Sequence, residues 1–276
     1  MLSVKKVLNN NVLVADDSQY GEVVLIGKGV GFGKKIGETV SETLAEKFFV
    51  LKETKEQEQY KQLLDYIDES FIGIMDDLIK IVEARFSVTL YEHIHIALTD
   101  HLFYAVKRVK QGLDITNPFL KETELAYPKE YAVATELIAY INRELNILIP
   151  SGEIGFVTLH IHSALSRRSL QEVNKHTRLI GELIQVVEES LKLSIDPNDI
   201  NYLRLVRHLH HAIERIETED YIDNQELLKK VLQTEYPLCY NLSWKLMKIM
   251  QQTLRKAVPD AEAVYLTLHL QRLSKK

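Results

Sequence analysis

The chain repeats itself. His101-Leu102-x-x-Ala105-x-x-Arg108 returns 107 residues later as His208-Leu209-x-x-Ala212-x-x-Arg215. Tyr127-Pro128-x-x-Tyr131 returns 109 residues later as Tyr236-Pro237-x-x-Tyr240, and Glu153-x-x-x-x-Thr158-Leu159-His160 returns at the same distance as Glu262-x-x-x-x-Thr267-Leu268-His269. Three collinear matches at nearly constant offset are the signature of a duplicated structural unit. They predict two tandem domains, residues 60–168 and 172–276.

Within those domains the apolar residues recur at three and four. Leu63-Leu64, Ile67, Phe71-Ile72 and Met75 show the period early, and Leu227-Leu228 with Val231-Leu232 show it late. That spacing stacks apolar side chains on one helix face, so both repeats are expected to be all-α bundles.

The first ~55 residues are of another kind. Six of the eleven glycines fall at positions 21 to 37, no proline precedes Pro118, and no histidine precedes His93. Short runs rich in Val, Leu, Ile and Phe, at 4–8, 12–15, 22–26 and 47–51, read as strands. Asn9-Asn10-Asn11 sits between the first two, and Asn tolerates the left-handed backbone that two-residue hairpin turns use. The expected fold is therefore a small all-β domain over residues 1–55 followed by two all-α domains. A unit this small buries a limited core, and self-pairing is the simplest way to extend it. The polar segment from Glu53 to Gln59 reads as the linker.

Gly27-Lys28-Gly29-Val30-Gly31-Phe32-Gly33-Lys34-Lys35 invites a phosphate-loop reading, which fails on spacing. Counting back from Gly33-Lys34 puts Lys28 where the first P-loop glycine belongs, and Lys35 replaces the magnesium-binding hydroxyl. A dinucleotide loop would need its third glycine at Phe32 or Lys34. What remains is a basic glycine loop carrying one aromatic, which suits single-stranded RNA: lysines meet phosphates and Phe32 stacks on an unpaired base. Asn11 can read a base edge with its amide. The alternative is a hairpin with solvated lysines and a core phenylalanine.

Four histidines recur in duplicate: His101 with His208, and His160 with His269. Metal binding is one use, since His93, His95, Asp100, His162, His210 and His211 lie nearby in sequence. These extra histidines do not recur between the repeats, as ligands fixed by coordination geometry should. Phosphoryl acceptance needs one accessible imidazole nitrogen and no triad, and it installs roughly −1.5 to −2 charge. At a domain interface that change is enough to make or break packing. One histidine per position per domain fits phosphorylation better, and no metal or other cofactor is called for.

Composition sets the remaining bounds. The net charge of −5 argues against coating nucleic acid by bulk electrostatics, so a small local surface must bind it. Cys239 is the only cysteine, which excludes an intramolecular disulfide and suits a reducing, cytoplasmic setting. No apolar run approaches the ~18 residues of a spanning helix, and the N-terminus lacks the pattern of a signal peptide.

Taken together, Lys6-Val-Leu-Asn-Asn-Asn-Val12, Glu22-Val-Val-Leu-Ile-Gly-Lys-Gly29 with Gly31-Phe-Gly-Lys-Lys35, Glu92-His-Ile-His-Ile-Ala-Leu-Thr-Asp-His101, Gly152-Glu-Ile-Gly-Phe156 with Leu159-His-Ile-His162, and Glu262-Ala-Val-Tyr-Leu-Thr-Leu-His269 carry a family resemblance. The chain resembles the sugar-operon transcription antiterminators of Gram-positive bacteria, in particular the branch controlling the glucose permease of the phosphotransferase system. The resemblance implies an N-terminal co-antiterminator domain that binds a leader mRNA hairpin as a homodimer and keeps a terminator from forming. It implies RNA contacts at Lys6, Asn11, Gly27, Lys28 and Phe32. The family often has Arg at the position of Lys28; Lys keeps phosphate contact but gives up planar stacking and bidentate recognition.

The same resemblance makes the helical repeats phosphotransferase regulation domains, phosphorylated at His101 and His160 in the first and His208 and His269 in the second. The partners it implies are the sugar permease (enzyme II), which phosphorylates the first domain when sugar is absent, and the histidine-containing phosphocarrier protein, acting on the second. The competing reading is a helical metal-dependent hydrolase built on the His and Asp100 clusters. A DNA-binding regulator with the same sensor domains would need a recognition helix near a terminus, where this chain has strands.

Overall fold

The computed structural model describes residues 2–45, 47–50, 67, 69–90, 92–220 and 226–274. The expected linker from Glu53 to Gln59 and the early helical-period residues Leu63 and Leu64 lie outside these. The chain packs as two compact units, one of residues 1–114 with 136–150, the other of 115–135 with 151–276.

The first unit opens with a five-stranded antiparallel sheet in the order β4-β1-β2-β3-β5. Its strands are β1 (Leu2–Asn9), β2 (Val12–Asp17), β3 (Gly21–Ile26), β4 (Thr39–Val40) and β5 (Lys47–Val50). Four were expected. The fifth, β4, is two residues pairing with Leu2 and Ser3, too short to show any alternation. Leu2, Val4, Leu13, Ala15, Val23, Leu25, Val30 and Val40 form the core on one face. Each such Val or Leu contributes about 1.5–3 kcal/mol on burial. Lys5 bridges Glu22 at 2.6 Å and Asp16 at 3.6 Å across the neighbouring strands.

The β1–β2 hairpin corrects one expectation. Neither Asn10 nor Asn11 has a positive φ; the strands instead absorb the twist through register shifts between Val4 and Lys6 and between Val7 and Asn9. The asparagines serve another purpose, taken up below.

The helices of this unit are α1 (Glu69–Phe86), α2 (Glu92–Lys110) and the second half of α4 (Pro128–Leu145). Glu136 and Tyr140, one turn apart on α4, both reach α1. Arg85 donates to Glu136 through Nε (2.9 Å) and Nη2 (2.8 Å), and the Tyr140 hydroxyl donates to Asp77 at 2.7 Å. On α2, Leu98, Leu102 and Ala105 make the fully buried stripe.

The second unit holds α3 (Leu120–Ala126), the start of α4, α5 (Gly152–Ser166), α6 (Leu170–Leu191), α7 (Ile200–Thr218), α8 (Glu226–Glu235), α9 (Pro237–Leu254) and α10 (Asp260–Ser274). Its core is made by α6, α7, α9 and α10, with Leu179, Leu183, Leu205, Leu209, Ile213, Leu246, Met250, Leu266 and Leu270 almost wholly buried. Ser169 and Glu172 close a capping box on α6, and Asp199 caps α7. On α8 the periodic stripe is only half used: Leu232 is buried while Leu227 and Val231 face solvent. Gly152 and Gly155 explain their place at the start of α5. A Cβ on Gly152 would stand 2.8 Å from the Ile115 carbonyl oxygen, and one on Gly155 would strike the Asn117 amide. Among the described residues no helix is long and apolar enough to cross a membrane.

Candidate RNA interface and histidine site

The glycine loop after β3 is docked on the β1–β2 turn. Gly27 N–H donates to the Asn11 carbonyl at 3.0 Å, Gly31 N–H donates to the Asn10 carbonyl at 2.9 Å, and Gly29 N–H donates to the Asn11 side-chain oxygen. Gly29 and Gly33 take positive φ, +74° and +68°, which a side chain would resist. Inner bonds from Val30 to Gly27 and from Phe32 to Gly29 tighten the loop. Val30, 1% exposed, is driven into the sheet core, whereas Phe32 is 73% exposed. The core-phenylalanine alternative is thereby overturned, because Val30 takes the core position.

Lys6 on β1 and Lys28 in the loop are exposed, Gly27 is buried, and Asn11 is half-buried. The Asn11 carbonyl group of the side chain is committed to the loop, so this residue's visible work is to hold the loop's shape. Ile36, three residues past Gly33, is 76% exposed and was not singled out from the sequence. Its signal was there: an isoleucine next to two lysines in a glycine-rich run.

In the second unit, α7 carries His208 and Arg215 two turns apart, and α10 carries Glu262 and His269 at the same spacing. Their packing brings the two imidazoles together, ring centroids 4.6 Å apart and tilted by 34°. Glu262, 2% exposed, accepts from Arg215 through Nε at 2.9 Å and Nη2 at 2.7 and 2.9 Å. Its second oxygen also lies 3.5 Å from His208 Nε2. Burial raises the carboxyl's pKa, but His208 and Arg215 outweigh it, so Glu262 is held below its ordinary range. Burial, aided by His208, Arg272 and Arg204, pushes His269 down to about 4. The ring is therefore neutral at physiological pH.

His101 lies half-buried on α2, beside the buried stripe, and His160 lies on α5, 8% exposed. The two helices belong to different compact units. A further cluster gathers around Tyr127, itself part of a repeated segment, and draws in histidines that do not recur. His162 Nδ1 is 3.0 Å from Glu130 and its ring lies 4.0 Å from that of Tyr127, whose edge meets His210 at 5.1 Å. Arg168 donates to Glu214 at 2.6 Å, and buried His176 stands 3.9 Å from Glu214 and 3.4 Å from Glu217. Burial pushes His210 down to about 4. Among the described residues no group of three or more His, Cys, Asp or Glu side chains is arranged to hold a metal ion.

Comparison with known proteins identifies the domains that carry these residues. The CAT RNA binding domain family matches residues 2–58, and the PRD domain family matches residues 76–164 and 181–273. The "PtsGHI operon antiterminator" of Bacillus subtilis is 53% identical over 99% of this chain and 98% of its own length. The "GlcA/glcB genes antiterminator" of Staphylococcus carnosus is 38% identical over 99% of this chain and 96% of its own. A crystal structure of a GlcT CAT-PRDI fragment is 54% identical and superposes with a TM-score of 0.54, covering 59% of this chain and 98% of the fragment. The metal-dependent hydrolase reading falls with this result. The chain belongs to the sugar-operon transcription antiterminators, RNA-binding regulators that join a CAT domain to duplicated PRD domains and are not enzymes.

Proposed function

We propose that residues 1–55 bind, as a homodimer, a hairpin in a leader mRNA upstream of glucose-permease genes, and so keep an overlapping terminator from forming. Residues 60–168 and 172–276 are the two regulation domains. They accept phosphoryl groups at His101 and His160, and at His208 and His269, from the permease and the phosphocarrier protein of the sugar phosphotransferase system. The protein works in the cytoplasm, where transcript and phosphocarrier meet. Lys6, Asn11, Gly27, Lys28 and Phe32 make or shape the RNA contact.

The observation that supports this best is the loop docked on Asn10 and Asn11, which holds Phe32 outward beside exposed Lys28. An exposed aromatic on a rigid backbone is what stacking on an unpaired base requires. The test is a gel shift of the full chain with a leader hairpin, the unphosphorylated protein binding and Phe32→Ala failing to. Equal binding by both would remove Phe32 from the interface. His101→Asp, which adds a charge where a phosphate would sit, is expected to lower the dimer fraction in light scattering at low concentration.

A further inference from the structure

The clasp between Arg215 and Glu262 lies against one particular nitrogen of His208. Nε2 is 3.5 Å from the Glu262 carboxylate, an approach just short of a formed hydrogen bond, and is closed to solvent, although the His208 side chain as a whole is 12% exposed. Glu262 is itself immobilised by the two-pronged grip of Arg215. A fixed anion facing a ring nitrogen favours an N–H there over a lone pair, as carboxylates do when they orient metal-bound imidazoles. The sequence keeps the same four residue types together in the other repeat, His101 with Arg108 and Glu153 with His160, each pair seven apart.

We propose that Glu262, held by Arg215, is a positioning residue that keeps the proton of His208 on Nε2, so that His208 accepts phosphate at Nδ1. The proposal rests on His208 being a phosphorylation site. In the step, the Nδ1 lone pair attacks the phosphorus of a phosphohistidine on the donor protein. The donor's P–N bond breaks, its electron pair stays on the donor imidazole, and that nitrogen takes up a proton from solvent. The product ring of His208 then carries phosphorus on Nδ1 and hydrogen on Nε2, an imidazolium cation facing the Glu262 carboxylate. The same carboxylate thus selects the nucleophilic nitrogen beforehand and stabilises the ring charge afterwards. Neutral His269, packed on the other imidazole, does not compete for it.

Two readouts on the full chain test this. Nitrogen-15 NMR of histidine-labelled, unphosphorylated protein, with His208 assigned through His208→Gln, reports the tautomer without any donor. The Nε2–H form is expected in at least about tenfold excess, lost in Glu262→Gln. Phosphorylation by the phosphocarrier protein charged on its own histidine is then expected to give phosphorus-to-Nδ1 coupling at His208. In Glu262→Gln, transfer to His208 is expected to slow by about tenfold or more. A dominant Nδ1–H tautomer, phosphate on Nε2, or a folded Glu262→Gln that reacts as the parent would overturn the proposal. If Glu262→Gln does not fold, the tautomer and isomer of the parent protein decide it. Phosphate absent from His208 altogether would remove the phosphorylation reading instead, and the tautomer would still decide the role of Glu262.

Discussion

The imidazoles of His208 and His269 pack against each other in the second unit, 4.6 Å between ring centroids, although they lie 61 positions apart in sequence. Two phosphates of roughly −1.5 to −2 charge each cannot share that spacing cheaply. Even at an effective dielectric near 20, two unit like charges about 5 Å apart repel by roughly 3 kcal/mol. Phosphorylation of one histidine is therefore expected to oppose the other. Intact-mass measurement of a His101→Ala, His160→Ala chain should show one phosphate accumulating well before two. His269→Asp should slow transfer to His208 by about tenfold or more. Independent filling of both sites would show that the rings separate on modification.

Two helical glycines, Gly73 on α1 and Gly155 on α5, give a prediction whose sign depends on packing. In an exposed helix, Gly→Ala is worth about 0.5–1 kcal/mol of stability. Gly73 on α1 has open space around it, and Gly73→Ala is expected to raise the melting temperature. Gly155→Ala should lower it, because the new methyl group meets the Asn117 amide and the Leu120 side chain. Overpacking of that kind costs about 1–3 kcal/mol. Thermal unfolding of the two variants side by side checks both signs; a stabilising Gly155→Ala would mean that the segment around Asn117 yields.

Much of this was legible in the sequence because duplication leaves a pattern that distance in the chain does not blur. His208 and His269 stand out because two repeated segments each carry a histidine at a fixed place, although only the packing of α7 on α10 shows that their rings meet. The glycine loop was legible by elimination, since its spacing defeats both phosphate-loop patterns. Other features were not. The strand Thr39–Val40 is too short to alternate. Helices α6, α7 and α9 end on left-handed Lys192, Glu219 and Arg255 rather than glycine, so the usual stop signal is missing. Asn10 and Asn11 form the turn that the sequence marks, but nothing in it shows that their oxygens are also the platform for the next loop. The clasp of Arg215 on Glu262 was visible as repeated letters, but only packing of α7 on α10 shows that they touch.

Acid should weaken the second unit over a defined window. His210 and His269 are both pushed down to about 4 in the folded chain, against about 6.5 when unfolded. The unfolded state therefore binds more protons between those values, and stability falls as pH drops from about 6.5 to 4. A shift of roughly two units in each group corresponds to about 2–3 kcal/mol. The depressed carboxylates Glu130, Glu214 and Glu262 contribute above their unfolded pKa and lose that contribution only as pH falls through lower values. The two effects separate on the pH axis. Chemical denaturation at pH 7.5, 6 and 5 should show the decline, and His210→Gln should flatten it. A stability independent of pH above 5 would mean that both histidines reach solvent.

The RNA surface makes the last prediction, and it separates contact from scaffold. Stacking one base on an aromatic ring is worth about 1–3 kcal/mol, so Phe32→Ala should weaken hairpin binding by roughly 5- to 150-fold. Because Phe32 is mostly exposed, the melting temperature should stay within about a degree or two. Val30→Ala should do the reverse in order: it removes a core side chain first, costing about 1–3 kcal/mol of fold stability, and loses binding only as the loop loosens. Lys28→Ala should weaken binding to all sequences alike and reduce the slope of log K against log salt by about one ion. Titrations at two salt concentrations, with calorimetry on each variant, distinguish these three behaviours. If Phe32→Ala bound as tightly as the parent while Ile36→Ser did not, the apolar contact with the RNA would move along the loop to Ile36, and Gly33 between them would be the hinge for a different face.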